Sequence, residues 1–532
     1  MSKLLELTRD ILAQEEAIRL RSGNSGQPRQ NSSERMMVRQ RLREFLDEGT
    51  SLLELGVWAA WNMYRQWGPV PAAGVVTGIG CVHGRRVLVV ANDPTVKAGA
   101  FFPQTVKKVL RAQRIAAAFR IPLVYLVDSS GVFLPLEDEI FPDEDDFGRI
   151  FRNNAVLSAL GIPQYAAVMG NCVAGGAYLP VLSDTLLMTE GSQLDLAGPA
   201  LVKAALGQHA DAEELGGARM HAQISGTADY RDPDDRSCLR RLRSLVALLP
   251  GLNGEAPIAD RYPPERDPQD LYQFVPANGH GEYEARDVLA CLVDAGSFDE
   301  FRAEYGRTVV AGFARIGGLP VGIVANQRRR CRAATGELQV GGVLYGDAAE
   351  KAARFVMECN QSAVPIVFLQ DVQGFMVGKQ AEQSGIIRSG AKLVNVVSNS
   401  VVPKLTVILG GSFGAGNYAM CGKAYDPWLM LAWPCARYAV MGADQAADTL
   451  LSLQLRDAER EGRTLSEEEK RGMHDQIRQR YEEQMDIRYG AARGWVDAII
   501  APHETRLWLA TALAMIPERS RWGEFRTGML QV

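Results

Sequence analysis

The sequence contains no C-x-x-C pair, and its six histidines fall at none of the spacings that hold a metal ion. No metal site is therefore expected. His83, His221 and His503 also lack a Ser or Asp partner at a recognisable spacing and receive no catalytic role. The eight cysteines (Cys81, Cys172, Cys238, Cys291, Cys331, Cys359, Cys421, Cys435) are scattered through a chain too long to need disulfide staples, and most read as small buried hydrophobes. No run of 18 uncharged apolar residues occurs, so no helical membrane span is predicted. Charge of one sign is missing as well. The 58 Lys and Arg against 63 Asp and Glu leave a net −5, which offers neither nucleic acid nor a membrane surface an electrostatic footprint. The opening MSKLLELTRDILAQEEAIRL is a charged amphipathic helix pattern without the apolar core of a secretion signal, and a cytoplasmic protein is expected.

What the chain does have is 47% hydrophobic residues in 532, enough for two cores of ordinary size. It also repeats itself at a period of about 240 residues, the length of a duplicated domain. Ala72 to Asp93 resembles Val309 to Asn326, each an apolar run, a glycine turn and a second apolar run, the pattern of a β-hairpin. IPLVYLVDSSGVFLP (Ile121 to Pro135) is matched by VPIVFLQDVQGFMVG (Val364 to Gly378); both are apolar strands ending in an acidic residue and a glycine turn. GIPQYAAVMGNCVAGGAYLP (Gly161 to Pro180) is matched by VVPKLTVILGGSFGAGNYAM (Val401 to Met420), where a strand runs straight into a Gly/Ala-rich loop.

Uninterrupted apolar strands separated by helical segments imply a sheet covered on both faces, so each half is predicted to be an α/β fold with mostly parallel strands. The Pro- and Gly-rich stretch Pro250 to Pro268 marks the boundary. This gives an N-terminal helix and polar linker over residues 1–33, a first domain over 34–255 and a second over 268–532. The charged run Asp457 to Arg488 reads as one or two exposed helices, suited to subunit contacts.

The loops Ala174-Gly175-Gly176-Ala177 and Gly414-Ala415-Gly416 each close a buried strand and open a helix. Residues with little side chain let a ligand atom reach backbone N–H groups, and a helix start adds partial positive charge, so each loop is a candidate oxyanion hole. Tight helix–strand packing is the rival reading for a single loop. Two loops at matching places suit a reaction in which two carbonyl oxygens take up charge.

Val90 to Ala116, Pro135 to Ala155, AGGAYLP, Gly198 to Gly207, EELGGA (Glu213 to Ala218), Gly374 to Ile386, GAKLV and Gly410 to Tyr425 together resemble the carboxyltransferase (β) subunits of biotin-dependent acyl-CoA carboxylases, above all those acting on 3-methylcrotonyl-CoA and geranyl-CoA. The resemblance covers about Glu34 to Arg506. It implies two tandem crotonase-like domains in an α/β fold and a ring-shaped hexamer. The N-terminal domain would bind acyl-CoA and the C-terminal domain biotin, with the carboxyl group passing from carboxybiotin to the enolate of the thioester. It places the acyl-CoA oxyanion hole on Gly175, Gly176 and Ala177, and the biotin-side hole on Gly414, Ala415 and Gly416. Tyr418 becomes a candidate for setting acyl specificity. Phe133 and Phe375 either wall the acyl pocket or are core aromatics, with Ser130 and Gly131 in the adjoining turn. Lys97, Lys107, Lys108 and Arg111 either meet the phosphates of coenzyme A or solvate an exposed helix face.

Ser129 and Ser130 stand where those relatives carry a Gly-Gly pair, and Ala334 to Phe355 holds a longer insertion. Both features look more like the glutaconyl-CoA decarboxylase carboxyltransferase, whose reaction runs from carboxylated thioester to biotin. Gln208 and His209 are further departures. Neither a Met-Lys-Met biotinylation signal nor a Gly-rich ATP-binding region occurs, so the biotin carrier and biotin carboxylase are expected on a partner α subunit. A reading from another class, a non-catalytic scaffold subunit, would require one of the two loops to have decayed.

Overall fold

The structure, a computed structural model, describes residues 2–21, 35–198, 202–204, 207, 211–249, 262–277, 281–333, 336–460, 465–517 and 522–531. The polar stretch at 22–33, most of the boundary segment at 250–261, and Gln208 and His209 lie outside the described residues. By internal contact the chain divides into two compact units. One holds Ala13–Ala256 with Ala492–Gly494; the other holds Met1–Leu12, Pro257–Ala491 and Trp495–Val532.

The first unit is built on one eight-stranded sheet: β1 (Leu53–Leu55), β2 (Val75–Val82), β3 (Arg85–Asn92), β4 (Leu123–Ser129), β5 (Gln164–Val173), β6 (Thr185–Thr189), β7 (Gln193–Asp195) and β8 (Tyr230–Asp232). Their order is β1-β2-β3-β4-β5-β6-β8, with β7 paired to β5. The second unit repeats this plan with β9 (Asp299–Glu300), β10 (Val309–Ile316), β11 (Leu319–Asn326), β12 (Ile366–Val372), β13 (Lys404–Phe413), β14 (Leu429–Ala432), β15 (Arg437–Ala439) and β16 (Ala498–Ile499). The order is β9-β10-β11-β12-β13-β14-β16, with β15 paired to β13. The duplication read from the sequence is thus a duplication of topology, strand for strand.

Local chemistry explains the plan. The β2–β3 turn is the dipeptide His83-Gly84 and the β10–β11 turn is Gly317-Gly318, all four residues left-handed, as a two-residue hairpin matched to strand twist requires. From β3 and β11 onward the main ladders are parallel, and β4 (LVYLVDS) and β12 (IVFLQDV) are buried throughout, as strands covered on both faces must be.

The helices used below are α1 (Lys3–Arg21), α2 (Val38–Phe45), α3 (Pro103–Phe119), α4 (Phe147–Ala159), α5 (Tyr178–Val181), α6 (Asp235–Ala247), α7 (Gly346–Gln361), α8 (Ile386–Asn399), α9 (Gly414–Ala419), α10 (Ala443–Arg460) and α11 (Glu467–Met485). In the first unit Val89, Val124, Ala167 and Leu187 of the sheet pack with Leu239 and Leu242 of α6. In the second, Val324 and Phe368 pack with Phe355 of α7 and Leu393 of α8. The charged run at 457–488 begins in the last turn of α10 and extends through α11, where side chains face solvent at most positions. All eight cysteines are free, and seven are buried.

Candidate active site

Both glycine loops start where a ten-residue parallel strand, β5 or β13, ends. The first loop turns through one 3-10 helix, Ala174–Ala177, into α5; the second passes directly into α9. The strand ends fix the register: Ala174 corresponds to Gly414, Gly175 to Ala415, Gly176 to Gly416, and Tyr178 to Tyr418. The two triplets taken from the sequence are therefore one residue out of step, because Gly414 occupies the place of Ala174 rather than that of Gly175.

In each loop the first residue is left-handed, with φ 58° at Ala174 and 53° at Gly414. The next residue is exposed and the third buried, first as Gly175 and Gly176 and again as Ala415 and Gly416. The N–H groups that open a helix lack an intrahelical acceptor, which makes the leading residues of each loop candidate donors beside a positive helix end. A carbonyl oxygen seated there would gain most at the moment it becomes negative.

Around the first loop, Ser130 donates its N–H to Ala98 O at 3.0 Å, and Gly131 donates to Ser129 Oγ at 3.1 Å. A Cβ on Gly176 would lie 3.7 Å from Gly131 Cα, so the turn after β4 forms one wall of the loop. Lys97, Ala98 and Gly99 are left-handed in succession, with Lys97 exposed. Phe133 stacks on Phe102 at 4.2 Å and meets Trp67 edge-on at 5.5 Å. Phe375 packs on the core of its own half, and Tyr418 is half exposed beside Tyr425.

On α3 the expected cationic face separates. Lys107 is exposed and Arg111 half-buried, and Lys107 is shifted downward by partial desolvation and by Arg114 and Arg493. Lys108 is neither a phosphate ligand nor a solvated side chain. It is buried, with Nζ donating to Ala72 O at 3.0 Å and Val75 O at 2.6 Å, and burial lowers its pKa to about 7 against a weaker pull upward from Glu54. The helix period explains the split: Lys108 shares a face with Thr105, Val109 and Ala112, all buried.

Ala177 and Tyr178 also line a cleft of ≈ 470 Å³ with Val181, Leu194, Leu196 and Leu215. At its edge His221 Nε2 lies 2.6 Å from Leu194 O and Nδ1 2.9 Å from Ser225 Oγ. With both ring nitrogens engaged, the histidine pins the wall of the cleft. Asp195 is shifted upward by burial, partly offset by His221.

The sequence reading missed the charged side chains beneath the loops, Arg41, Asp128, Arg328 and Asp371, all less than one-tenth exposed. Their one sequence signal was the acidic residue closing two otherwise apolar strands. Among the described residues, no group of three His, Cys, Asp or Glu could hold a metal ion, and no helix is long and apolar enough to cross a membrane.

The sequence pattern of the carboxyl transferase domain matches residues 29–527. The chain is 42% identical over 516 residues to the mitochondrial methylcrotonoyl-CoA carboxylase beta chain of Arabidopsis thaliana, covering 95% of this chain and 85% of that one. It is 44% identical over 483 residues to the biotin-dependent 3-methylcrotonyl-coenzyme A carboxylase beta1 subunit of Mycobacterium tuberculosis, covering 90% and 88%. The crystal structure of the geranyl-CoA carboxylase beta subunit of P. aeruginosa superposes with a TM-score of 0.82 at 33% identity, over 99% of this chain and 94% of that one. With twin crotonase-like α/β halves and relatives of this similarity along nearly its whole length, the chain belongs to the carboxyl transferase family and is an acyl-CoA carboxyltransferase.

Proposed function

We propose that the protein is the carboxyltransferase subunit of a biotin-dependent carboxylase whose thioester is branched or α,β-unsaturated, of the 3-methylcrotonyl kind. The observation that carries this reading is the pair of loops, with the same backbone turn and the same exposed and buried positions, one in each half.

In this reading the N–H groups of Gly175 and Gly176, with Ala177 behind them, hold the thioester oxygen as the acyl group loses a proton and becomes an enolate. Those of Ala415 and Gly416, with Gly414 making the turn, hold the ureido oxygen of biotin. The second loop fits that oxygen, because Gly416 brings no side chain and Ala415 only a methyl group. Carboxybiotin, when bound, would supply the carbon dioxide by cleavage of its N–carboxyl bond, and the ureido anion left behind would take the substrate proton. Each donor contributes on the order of 3 kcal/mol to transition-state stabilisation. Lys97, Lys107 and Arg111 meet the phosphates of coenzyme A, and Ser130, Gly131 and Phe133 border the acyl group. Phe375 and Tyr418 lie in the C-terminal half, which would meet the acyl-CoA of a neighbouring subunit, with Tyr418 setting the length and shape of acyl chain accepted.

Biotin arrives on a separate carrier, so the working enzyme pairs with a biotin carboxylase and carrier α subunit in the cytoplasm and assembles as a hexamer. The names of the Arabidopsis and Mycobacterium relatives support the acyl class and the dependence on biotin. Purified protein incubated with free biotin and malonyl-, methylmalonyl-, 3-methylglutaconyl- or glutaconyl-CoA tests the reading. Biotin-dependent loss of 3-methylglutaconyl-CoA is expected, preferred loss of glutaconyl-CoA would favour the acyl class of the glutaconyl-CoA decarboxylase type, and loss of none would refute the assignment.

A further inference from the structure

Beneath each glycine loop the sheet carries the same irregularity. Val127 pairs with Val168 and Ser129 with Cys172, so two steps along β4 span four along β5. Gln370 pairs with Ile408 and Val372 with Ser412, the same slip in β12 and β13. A bulge of this kind bends the strand and re-aims the residues beyond it. The gap it opens is filled in each half by a buried carboxylate, Asp128 at 6% and Asp371 at 3% exposure.

Each carboxylate holds the loop's strand by a backbone hydrogen bond. Asn171 N–H donates to Asp128 Oδ1 at 3.2 Å, and Gly411 N–H to Asp371 Oδ1 at 2.7 Å. The residue before each donor is a glycine because the carboxylate needs its space. A Cβ on Gly170 would lie 2.0 Å from Asp128 Oδ1, and one on Gly410 2.6 Å from Asp371 Cγ. A guanidinium secures the far side: Arg41 Nη1 is 3.2 Å from Asp128 Oδ2, and Arg328 Nε 3.3 Å from Asp371 Oδ2.

The supporting residues come from different places. Arg41 stands on α2, ahead of the first sheet, and also binds Asp235 at 2.8 Å and Met169 O at 3.0 Å. Arg328 lies just past the end of β11, and Asp371 has in addition the Tyr283 hydroxyl at 3.0 Å. Two halves that keep one brace while building its support from non-equivalent residues point to a role beyond shared ancestry.

We infer that Asp128 and Asp371 are positioning residues, each aiming the glycine loop of its own half without touching the reacting groups. The inference rests on the assignment of the first loop to the thioester and the second to biotin. A brace of this kind acts on how well N–H groups meet an oxygen, so its test is a comparison of ligands with and without that oxygen.

The affinity of the intact protein for 3-methylcrotonyl-CoA is measured against that for the corresponding thioether, which has a methylene in place of the carbonyl. Two N–H contacts give the thioester an advantage of about tenfold. Asp128→Ala, in which Arg41 keeps Asp235, is expected to bring the ratio near one. Asp128→Asn, which keeps an acceptor oxygen, retains most of it. Asp371→Ala leaves the ratio at the wild-type value while slowing carboxyl transfer about 100-fold, the scale of a 1 Å misplacement. Thermal melts accompany every variant, and Asp128→Ser, which offers Arg41 a hydroxyl, repeats the truncation should the alanine variant melt early. A tenfold ratio that survives truncation of Asp128, or that Asp371→Ala removes equally, overturns the inference alone. A wild-type ratio of one overturns the loop assignment and the inference with it.

Discussion

Replacing Gly170 by alanine adds one methyl group to the molecule, and the structure makes this among the costliest small changes available. The new carbon would stand 2.0 Å from Asp128 Oδ1 and 2.1 Å from Cγ. The carboxylate cannot swing away, because Arg41 and the Asn171 N–H hold it from two sides. Either the backbone hydrogen bond to a charged acceptor is lost, about 1.5–3 kcal/mol, or the strand shifts at an overpacking cost of about 1–3 kcal/mol. Since relief of one strains the other, about 4 kcal/mol is expected. For a unit of this size that lowers its melting temperature by roughly 8–16 °C. The control is Gly175→Ala, where the nearest atom to a Cβ is Phe147 Cε1 at 3.7 Å, an ordinary contact. Scanning calorimetry on the two variants decides the matter. Equal melting temperatures, or a Gly170→Ala protein that melts with the wild type, would refute the argument that the carboxylate is fixed.

Gly176→Val or Ala415→Trp should reduce carboxyl transfer by at least about 100-fold, with assembly unchanged by size-exclusion chromatography. Gly416→Ala should impair folding as well as transfer, since its Cβ would fall 2.6 Å from Val372 Cγ2, a difference visible in a melt beside Gly176→Ala. Tyr418→Ala should leave stability within about 0.5 kcal/mol of wild type, the ring being half exposed, while changing the ranking of acyl-CoA substrates by kcat/KM. Lys108 has a folded pKa lowered from 10.5 to about 7, so between those values the unfolded chain binds the extra proton and the penalty lifts as pH rises. Wild type should therefore gain stability relative to Lys108→Met by about 1 kcal/mol per pH unit from pH 7 to 9, measured by urea unfolding; a pH-independent difference would contradict the burial of its ammonium group.

Much of this architecture was legible because apolar strands buried on both faces leave an unmistakable trace. The pairing of Gly161–Pro180 with Val401–Met420 read from the sequence corresponds position for position to β5 and β13 with their loops. The register within the loops was not legible from glycine content, since Ala174 adopts the left-handed turn that Gly414 adopts opposite it. Lys108 was misread because the Lys107-Lys108 pair looks like one cationic patch, whereas adjacent helical residues point about 100° apart and here one of them points into the core. The aspartates closing β4 and β12 were visible, but their partners Arg41 and Arg328 lie 87 residues from Asp128 and 43 from Asp371, and nothing in the local pattern distinguishes them from surface arginines.

The left-handed residue at the head of each loop makes the two halves unequal in a way their shapes conceal. Glycine adopts φ 53° at Gly414 without penalty, whereas alanine at φ 58° carries a strain of about 1 kcal/mol at Ala174. The N-terminal loop is a bent spring and its counterpart a bent wire of the same outline. If the stems beneath them slacken equally, the first loop has stored strain to release and the second has none, so the same damage to the sheet should displace the N-terminal loop further than the C-terminal one.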